Sequence, residues 1–424
     1  MRLNSIGKKI IRVDGLSKVK GKALYPQDIY MEGMLYGKTL RSSRPHAYIN
    51  IDTSRAEKID GVVKVFTYKD VPGKNCHGVL FKDHEVFCSE RVRRVGDPIA
   101  FVVATNKKAV EEAIEVIDVN YEDIEAVFDP LEAMKEESVK IHGNSNIIYH
   151  YKLRKGDVEE AFKRCHVIVE SEYKTPMVEH AFLQPEAGIA YTEDDGTIVV
   201  CASTQYPHFD QIEVAEALEV NKDKVKIINP AVGGAFGGRE DITLQIHLAI
   251  AAKVTGRPVK AVYSREESFL AHSKRHSMIM RYKTGCNKDG KLLAMEAEII
   301  GDTGAYASWA INVLRKAGVH ATGPYEIPNV KVDSYAVYTN NPFAGAMRGF
   351  GATQVPIAHE QQMDMLSEKL NMDPVTFRLK NIFKKGSKTA TGQVLEESVP
   401  IDRCIKEVAD RIGITPLSER GGVV

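Results

Sequence analysis

The stretch Asn229–Asp241 constrains this chain more than any other, because it places four glycines within six positions. It reads N-P-A-V-G-G-A-F-G-G-R-E-D. An alternating run precedes it at Lys224–Ile228, and apolar residues at helical spacing follow at Thr243–Thr255, ending at Gly256. The pattern predicts a strand, a glycine-rich loop and a helix. Free N–H groups at the helix start would then favour an anion or an oxo group.

The loop differs from the two common nucleotide-binding glycine loops. No register supplies the glycine offsets of the dinucleotide fingerprint. Gly233 and Gly238 have the spacing of the phosphate loop of nucleotide hydrolases, but Arg239 and Glu240 stand where that loop needs a lysine and a hydroxyl. Phe236 at the apex suits stacking against a planar ligand. A tight turn with a buried phenylalanine is the alternative.

A second glycine-rich loop of the same design occurs later in the chain. Gly345–Gln354 reads G-A-M-R-G-F-G-A-T-Q and precedes a predicted helix at Val355–Leu370. Each loop contains an arginine and an apex phenylalanine, so the two are expected to frame one flat ligand. Gln205 ends an apolar strand that begins at Thr197, and ligand sites often collect at such strand ends.

Composition excludes several classes of function. With 57 basic and 57 acidic residues in 424, the chain has no net charge to attract nucleic acid or an anionic membrane. No apolar run is long enough to span a bilayer, and the N-terminal M-R-L-N-S-I-G-K-K lacks the apolar core of a signal peptide. The six cysteines are far apart, which argues against a disulfide framework, a zinc site or an iron–sulfur cluster on this chain. The expected compartment is the cytoplasm.

Two histidine patterns come close to metal sites. His272 and His276 are four residues apart, but Lys274 and Arg275 lie between them, so a solvated basic face is predicted. The sequence H-E-Q-Q-M at His359–Met363 lacks the second histidine of a zinc-protease helix. No direct metal ligand is therefore predicted.

The length predicts two or three domains, and the patterns predict an α+β fold. Residues 1–130 form the first domain, with a covered strand at Pro98–Ala104 and an amphipathic helix at Lys107–Ile117. Residues 131–147 are charged and weakly patterned, which predicts a surface connector. Residues 148–424 form the second domain, with two long strands in Arg281–Ala307 joined by an N-K-D-G turn.

Five motifs together resemble the molybdopterin-binding subunit of the xanthine dehydrogenase family. They are G-G-A-F-G-G-R-E (Gly233–Glu240), A-M-R-G-F-G (Ala346–Gly351), S-T-Q (Ser203–Gln205), F-L-Q-P-E (Phe182–Glu186) and G-P-Y-E-I-P-N (Gly323–Asn329). The resemblance implies a hammerhead-like N-terminal domain followed by the first part of a molybdenum-cofactor-binding domain. Gln184 is a departure, since many members of the family have glutamate there.

The resemblance also implies a cofactor and the residues that hold it. The cofactor would be molybdopterin, in its cytosine dinucleotide form, with molybdenum and a terminal sulfido or selenido ligand. Gln205 would donate a hydrogen bond to the apical oxo group. The backbone of the two loops would hold the oxo group and the pterin, through Gly234, Ala235, Phe236, Gly237, Ala346, Met347 and Arg348.

Substrate contacts follow from the same resemblance. Glu240 would be a polar contact, Phe350 would stack on a ring, and Arg315 or Lys316 would supply a cation. The implied reaction hydroxylates a carbon of an N-heteroaromatic ring with oxygen from water. Nicotinate to 6-hydroxynicotinate is the favoured reaction, and a purine or xanthine hydroxylase subunit is the alternative. A non-catalytic carrier of the molybdenum cofactor is a further alternative.

The molybdenum subunits of the family are longer than this chain and have their general-base glutamate late in the second half. We therefore expect the first half of a split subunit, with no catalytic residue of its own. The base would lie on a second molybdopterin subunit. FAD and two-iron two-sulfur clusters would lie on a flavin subunit and an iron–sulfur subunit, and neither nucleic acid nor a membrane is an expected partner.

Overall fold

The computed structural model describes residues 6–414, so the outer ends of the two predicted domains, 1–5 and 415–424, lie outside the described residues. The strands in the described part vary from two to thirteen residues in length. They are β1 (Leu35–Arg41), β2 (Ala47–Asp52), β3 (Val62–Phe66), β4 (Cys76–His77), β5 (His84–Glu85), β6 (Arg91–Val92), β7 (Pro98–Ala104), β8 (Asp118–Asp123), β9 (Ile147–Lys155), β10 (Val167–Thr175), β11 (Ala187–Thr192), β12 (Ile198–Ala202), β13 (Val225–Ile228), β14 (Val259–Val262), β15 (Ser277–Cys286), β16 (Leu292–Gly304) and β17 (Asn329–Tyr338).

The helices of the same part follow the expected start and stop signals. Asn106 and Asp157 cap the starts of the second and fourth helices through their side chains, and Gly256 ends the sixth in a left-handed conformation. They are α1 (Gly15–Val19), α2 (Lys107–Val116), α3 (Pro130–Ala133), α4 (Val158–Lys163), α5 (Pro207–Leu218), α6 (Gln245–Thr255), α7 (Arg265–Ala271), α8 (Ala310–Val319), α9 (Pro356–Lys369), α10 (Pro374–Asn381) and α11 (Ile401–Arg411). None of them is long and apolar enough to cross a bilayer.

A seven-stranded sheet contains strands from both ends of the described chain, in the order β13-β12-β11-β14-β1-β7-β3. β1 and β14 pair in parallel, with Leu35 opposite Val259. The predicted covered strand, β7, is buried from Ile99 to Ala104. The boundary near residue 130 stays a prediction, since strands from both sides of it share this sheet.

A five-stranded sheet forms the second layer, in the order β10-β15-β16-β17-β9. The two predicted long strands are β15 and β16, joined by a turn in which Gly290 N–H donates to Asn287 O at 3.0 Å. Side chains of α8 and α9, such as Leu314 and Met363, pack against this sheet in the largest of the hydrophobic clusters. A three-stranded sheet, β6-β2-β8, completes the N-terminal region. The α+β prediction is confirmed.

The prediction that residues 131–147 form a surface connector is wrong at three positions. Ala133, Ile141 and Asn146 are buried. The Asn146 amide donates to the carbonyls of Ala133 and Val139 and accepts from Ile141 N–H. An irregular segment can pack inward when a side chain pairs its backbone groups in this way.

The predicted basic face at 272–276 is also wrong. His272, Lys274 and His276 are all buried on an extended segment between α7 and β15. Lys274 forms an ion pair with Glu179, so its charge is compensated by a residue distant in sequence. In the described part of the chain no cluster of three or more potential ligands forms a metal site, and all six cysteines are free thiols.

Candidate cofactor and substrate site

The two glycine loops contact each other backbone to backbone. Arg348 N–H donates to Phe236 O at 2.8 Å. Gly237 has φ +105°, and a Cβ on it would lie 2.5 Å from Ala346 O. Only glycine fits this approach, so each loop fixes the position of the other.

The apex phenylalanines share an uncommon conformation. Phe236 has φ 53° and Phe350 has φ 55°, in the left-handed region that non-glycine residues rarely adopt. Each such residue costs of the order of 1–3 kcal/mol, and strain of this kind clusters at ligand sites. Phe236 is 50% exposed, so the alternative of a tight turn with a buried phenylalanine is wrong. That the loops frame one ligand stays a prediction.

Gln205 lies beside the first loop, after the end of β12. Its Oε1 accepts from Gly237 N–H at 2.8 Å and lies 3.4 Å from Arg239 N. A backbone amide can only donate, so the oxygen of the side chain must face the loop. The Nε2 group has no hydrogen-bond partner among residues 6–414 and can donate to a ligand.

The start of α6 does not supply the anion site that the sequence predicts. The helix begins at Gln245, and the Oε1 of that residue accepts from the N–H groups of Thr243 and Leu244, both at 2.9 Å. The intervening Ile242 and Leu244 are buried, which separates the helix start from the glycine turn.

The loops provide free donors instead. In the described part of the chain, the backbone N–H groups of Ala235, Phe236, Ala346 and Met347 make no hydrogen bond. The N–H groups of Gly237 and Arg348 are used inside the protein. Unpaired donors are what an oxo group and a pterin edge require, so these residues fit the molybdenum cofactor that the resemblance implies.

A buried charged cluster supports the first loop from behind, and the sequence did not reveal it. Arg239 donates to the carbonyls of Gly234 at 3.0 Å and Gln184 at 2.6 Å, and pairs with Glu186 at 3.4 Å. Burial alone would raise the pKa of Glu186, but the neighbouring His272 and Arg239 hold that pKa below its ordinary value. Arg239, the arginine of the glycine-loop motif, therefore stabilises the conformation of the loop.

Gln184, which the resemblance marks as a departure, connects the loop to the end of β12. Its Oε1 accepts from Gly233 N–H at 2.6 Å, and its Nε2 donates to Ser203 Oγ at 3.2 Å. A carboxylate could accept from the glycine but could not donate. The departure from the family pattern thus has a definite structural role.

A cavity of about 480 Å³ brings together all the predicted substrate residues. Four of its residues lie on one face of α8, at the spacing i, i+3, i+4 and i+7. The lining residues are Tyr206, Glu240, Trp309, Asn312, Arg315, Lys316, Val319 and Phe350. Helical spacing from Arg315 could have indicated Asn312 and Val319, whereas no sequence signal indicated Tyr206 or Trp309.

The cavity lining contains both aromatic rings and charged side chains. Trp309 contacts Phe350 and Tyr206 edge to face, with ring centroids 5.9 and 5.8 Å apart. Burial, and secondly the nearby Asp241, raises the pKa of Glu240 to about 7. Arg315 and Lys316 make no ion pair with any residue that the structure describes.

Family models match most of the chain. Residues 20–125 match the a/b hammerhead domain of aldehyde oxidase and xanthine dehydrogenase, and residues 140–382 match the molybdopterin cofactor-binding domain. The chain is 45% identical to the nicotinate dehydrogenase large molybdopterin subunit of Eubacterium barkeri, covering 96% of each chain. It is 41% identical to a probable xanthine dehydrogenase subunit of Bacillus subtilis, covering 88% of this chain and 50% of that one.

Solved structures agree with the sequence matches. Aldehyde oxidoreductase from Desulfovibrio gigas superposes with a TM-score of 0.90 at 32% identity, over 94% of this chain and 46% of that one. Quinoline 2-oxidoreductase from Pseudomonas putida 86 also gives 0.90, at 25% identity, over 97% of this chain and 55% of that one. Apart from the Eubacterium subunit, the chain spans about half the length of these relatives. The matches and the paired glycine loops place this chain in the xanthine dehydrogenase family of molybdenum-dependent dehydrogenases, as a molybdopterin-binding subunit.

Proposed function

We propose that this chain binds the cofactor and the substrate in a molybdenum hydroxylase that converts nicotinate to 6-hydroxynicotinate. The observation that supports this most directly is the cavity in which Phe350 and Trp309 lie with Arg315 and Lys316. Nicotinate combines a planar ring with a carboxylate, and this lining offers a partner for each.

In this proposal the rings and the cations have separate tasks. Phe350 stacks on the heteroaromatic ring, and Trp309 supports Phe350 from the side. Arg315, Lys316 or both hold the carboxylate and thereby orient the ring. Glu240 accepts or donates a hydrogen bond at a polar edge of the ring, since its pKa of about 7 allows both protonation states near neutral pH.

The proposed cofactor is molybdopterin in its cytosine dinucleotide form, carrying molybdenum with a terminal sulfido or selenido ligand. Gln205 Nε2 donates to the oxo group, and the free amides of Ala235, Phe236, Ala346 and Met347 hold the oxo and pterin edge. Gly234, Gly237 and Arg348 shape the backbone around it. Bound there, the cofactor supplies the hydroxylating metal and the exit route for electrons.

The proposed assembly includes further chains. A second molybdopterin subunit provides the general-base glutamate, and iron–sulfur and FAD subunits carry electrons onward. The chain's coverage of about half of most relatives supports this, and the whole complex is proposed to be cytoplasmic.

The test compares nicotinate with nicotinamide, which has the same ring without the charge. The intact complex is purified and assayed with both compounds, with xanthine and with quinoline, and its molybdenum is measured. We expect Arg315→Ala combined with Lys316→Ala to raise KM for nicotinate about tenfold and to leave KM for nicotinamide unchanged. Lys385→Ala, at an exposed lysine outside the cavity, is the matched control.

Two other functions are distinguished by the same assay. Turnover of xanthine without turnover of nicotinate would favour the purine hydroxylase alternative, in which Glu240 pairs with ring nitrogens. Stoichiometric molybdenum without turnover of any of the compounds would favour the cofactor carrier.

A further inference from the structure

Residues 6–24, here called the N-terminal arm, expose an unusual amount of apolar surface. Val13 is 103%, Ile11 89% and Val19 83% exposed. The other large apolar side chains of the arm are exposed as well, namely Ile6, Ile10, Leu16 and Leu24. α1, the one helix of the arm, contains no buried residue. Exposed apolar side chains concentrated in one short segment are typical of an interaction site.

The arm is also strongly basic, although the chain as a whole is neutral. It contains six basic residues and one acidic residue. Asp14 pairs with Arg12 and Lys18, whereas Lys8, Lys9, Lys20 and Lys22 form no ion pair in the described part of the chain. The charge left over would complement an acidic surface on a partner.

The root of the arm is fixed next to the first glycine loop. Leu24 O accepts from Ala231 N–H at 3.3 Å, two residues before the first loop glycine. The buried Lys260 donates to the carbonyls of Gln27 and Ile29, both at 2.7 Å. A chain that binds the arm near its root is therefore held close to the first glycine loop.

We propose that the arm binds a partner protein through an acidic groove with an apolar floor, and that this partner is the iron–sulfur chain that takes electrons from the cofactor. The identity of the partner rests on the proposed function, because electron transfer requires a carrier close to the cofactor. A protein groove is favoured over a lipid surface, since Ile10 and Ile11 lie in residues 8–11, whose backbone groups make no hydrogen bond in the described part of the chain. Backbone N–H and C=O groups left unpaired in this way can be satisfied by a protein but not by hydrocarbon.

The experiment replaces three apolar side chains of the arm in the full-length, tagged chain, expressed in its native host. The variant is Ile11→Ser, Val13→Ser and Val19→Ser. Each lost contact should weaken association about tenfold, so we expect iron per tagged chain to fall to background. Molybdenum per tagged chain should stay unchanged, because none of the three residues lies in the loops. Val63→Ser, Val254→Ser and Val394→Ser, at exposed valines elsewhere, form the matched control and should retain iron.

A second variant, Lys8→Glu with Lys9→Glu, tests the positive charge of the arm. Its iron content should fall further at lower salt, because repulsion from an acidic groove is then screened less. Wild-type levels of iron in both arm variants would overturn the proposal. Arm-dependent binding of the purified complex to anionic phosphatidylglycerol vesicles, with iron retained, would overturn it in favour of a membrane surface. Nicotinate turnover is measured separately on the unmodified complex. Absence of that turnover would count against the proposed function, whereas the iron content of the arm variants tests the arm alone.

Discussion

At the scale of single residues, the site depends on side chains that are bonded to the protein at one end and keep a free donor at the other. Gln205 uses its oxygen on Gly237 N–H and keeps its Nε2 free among the described residues. The amide is thereby oriented before any ligand binds. Preorganised donors of this kind stabilise developing charge without the cost of reorganisation.

Replacing Gln205 by alanine removes both the free donor and the acceptor of Gly237 N–H. We expect turnover of the assembled enzyme to fall about a hundred- to a thousandfold, while the lost acceptor costs only about 1–3 kcal/mol of stability and the protein stays folded. Gln361→Ala, at an exposed glutamine on α9, is the control for loss of an amide. Wild-type turnover of Gln205→Ala would contradict the role given to this residue.

Glu240 predicts a pH dependence of substrate binding. Its pKa of about 7 lies above the ordinary 4.5, so the side chain is mostly neutral below pH 7 and charged above it. A carboxylate in the cavity repels an anionic substrate, so KM for nicotinate should rise as the pH passes 7. Glu240→Gln should flatten this profile, whereas Glu397→Gln, at an exposed glutamate outside the cavity, should not. A wild-type KM independent of pH between about 6 and about 8 would contradict this assignment.

At the scale of elements, the two glycine loops form one unit. Each has a phenylalanine with positive φ at its apex, and the contact between Gly237 and Ala346 leaves no space for a side chain. The loops are separated by more than a hundred residues of sequence but share one backbone hydrogen bond.

A side chain at Gly237 should therefore separate the loops. In Gly237→Ala the Cβ would lie 2.5 Å from Ala346 O at φ +105°, and we expect folded protein with molybdenum content below a tenth of wild type. Gly256→Ala isolates the effect of backbone strain, because nothing lies within 4 Å of its added Cβ at φ +64°. That control should lose about 1–2 kcal/mol of stability and keep its metal. Full metal occupancy in Gly237→Ala would contradict the loop assignment.

At the scale of the whole molecule, the seven-stranded sheet joins the region matched by the hammerhead model to the region matched by the cofactor-binding model. β1 lies between β14 and β7. The two family regions are thus not two independent sheets, and the order of motifs in the sequence does not show this.

Residues 140–382 should not fold when expressed by themselves. Without β1 the edge of β14 is unpaired, and the apolar core shared by Leu35, Phe101 and Val259 is opened. We expect aggregation in sedimentation experiments, whereas residues 25–414, which retain β1, should sediment as a defined species. A monomeric 140–382 fragment with cooperative unfolding would contradict this interpretation of the sheet.

The chain expressed without partner subunits should be inactive even when the cofactor is supplied. A positioned general base contributes roughly a hundred- to ten-thousandfold in rate, and the proposed assembly places it on another chain. Hydroxylation of nicotinate with an artificial electron acceptor measures this. Substantial turnover by the isolated chain would place the base here, with Glu240 as the first residue to substitute.

Local patterns predicted much of the fold from sequence. β7, α2 and the β15–β16 pair follow from apolar periodicity and a turn signal within a few residues. The pairing of β1 with β14 could not be predicted, because it joins strands over two hundred residues apart. The burial of His272 and Lys274 was missed for the same reason, since their compensating carboxylates come from Glu186 and Glu179.

The candidate site was predicted unevenly. Glu240, Phe350, Arg315 and Lys316 came from motif resemblance, and the structure brings them to one cavity. Trp309 and Tyr206 carry no chemical pattern of their own, so only the tertiary contacts of Trp309 with Phe350 and Tyr206 could reveal them. The residues of the buried charged cluster that supports the first loop, such as Arg239 and Glu186, could not be predicted either, because their interactions depend on tertiary contacts.

The parallel pairing of β1 with β14 also has a consequence during synthesis. Leu35 leaves the ribosome long before Val259, its partner in the sheet. At roughly 5–20 residues per second, the interval is on the order of 10 to 45 seconds. Throughout that time β1 lacks the strand that covers one of its edges, and a bare edge is the surface on which nascent chains associate wrongly. Slower translation between these strands should therefore lower the yield of this subunit, and a chaperone that covers the N-terminal strands should restore it.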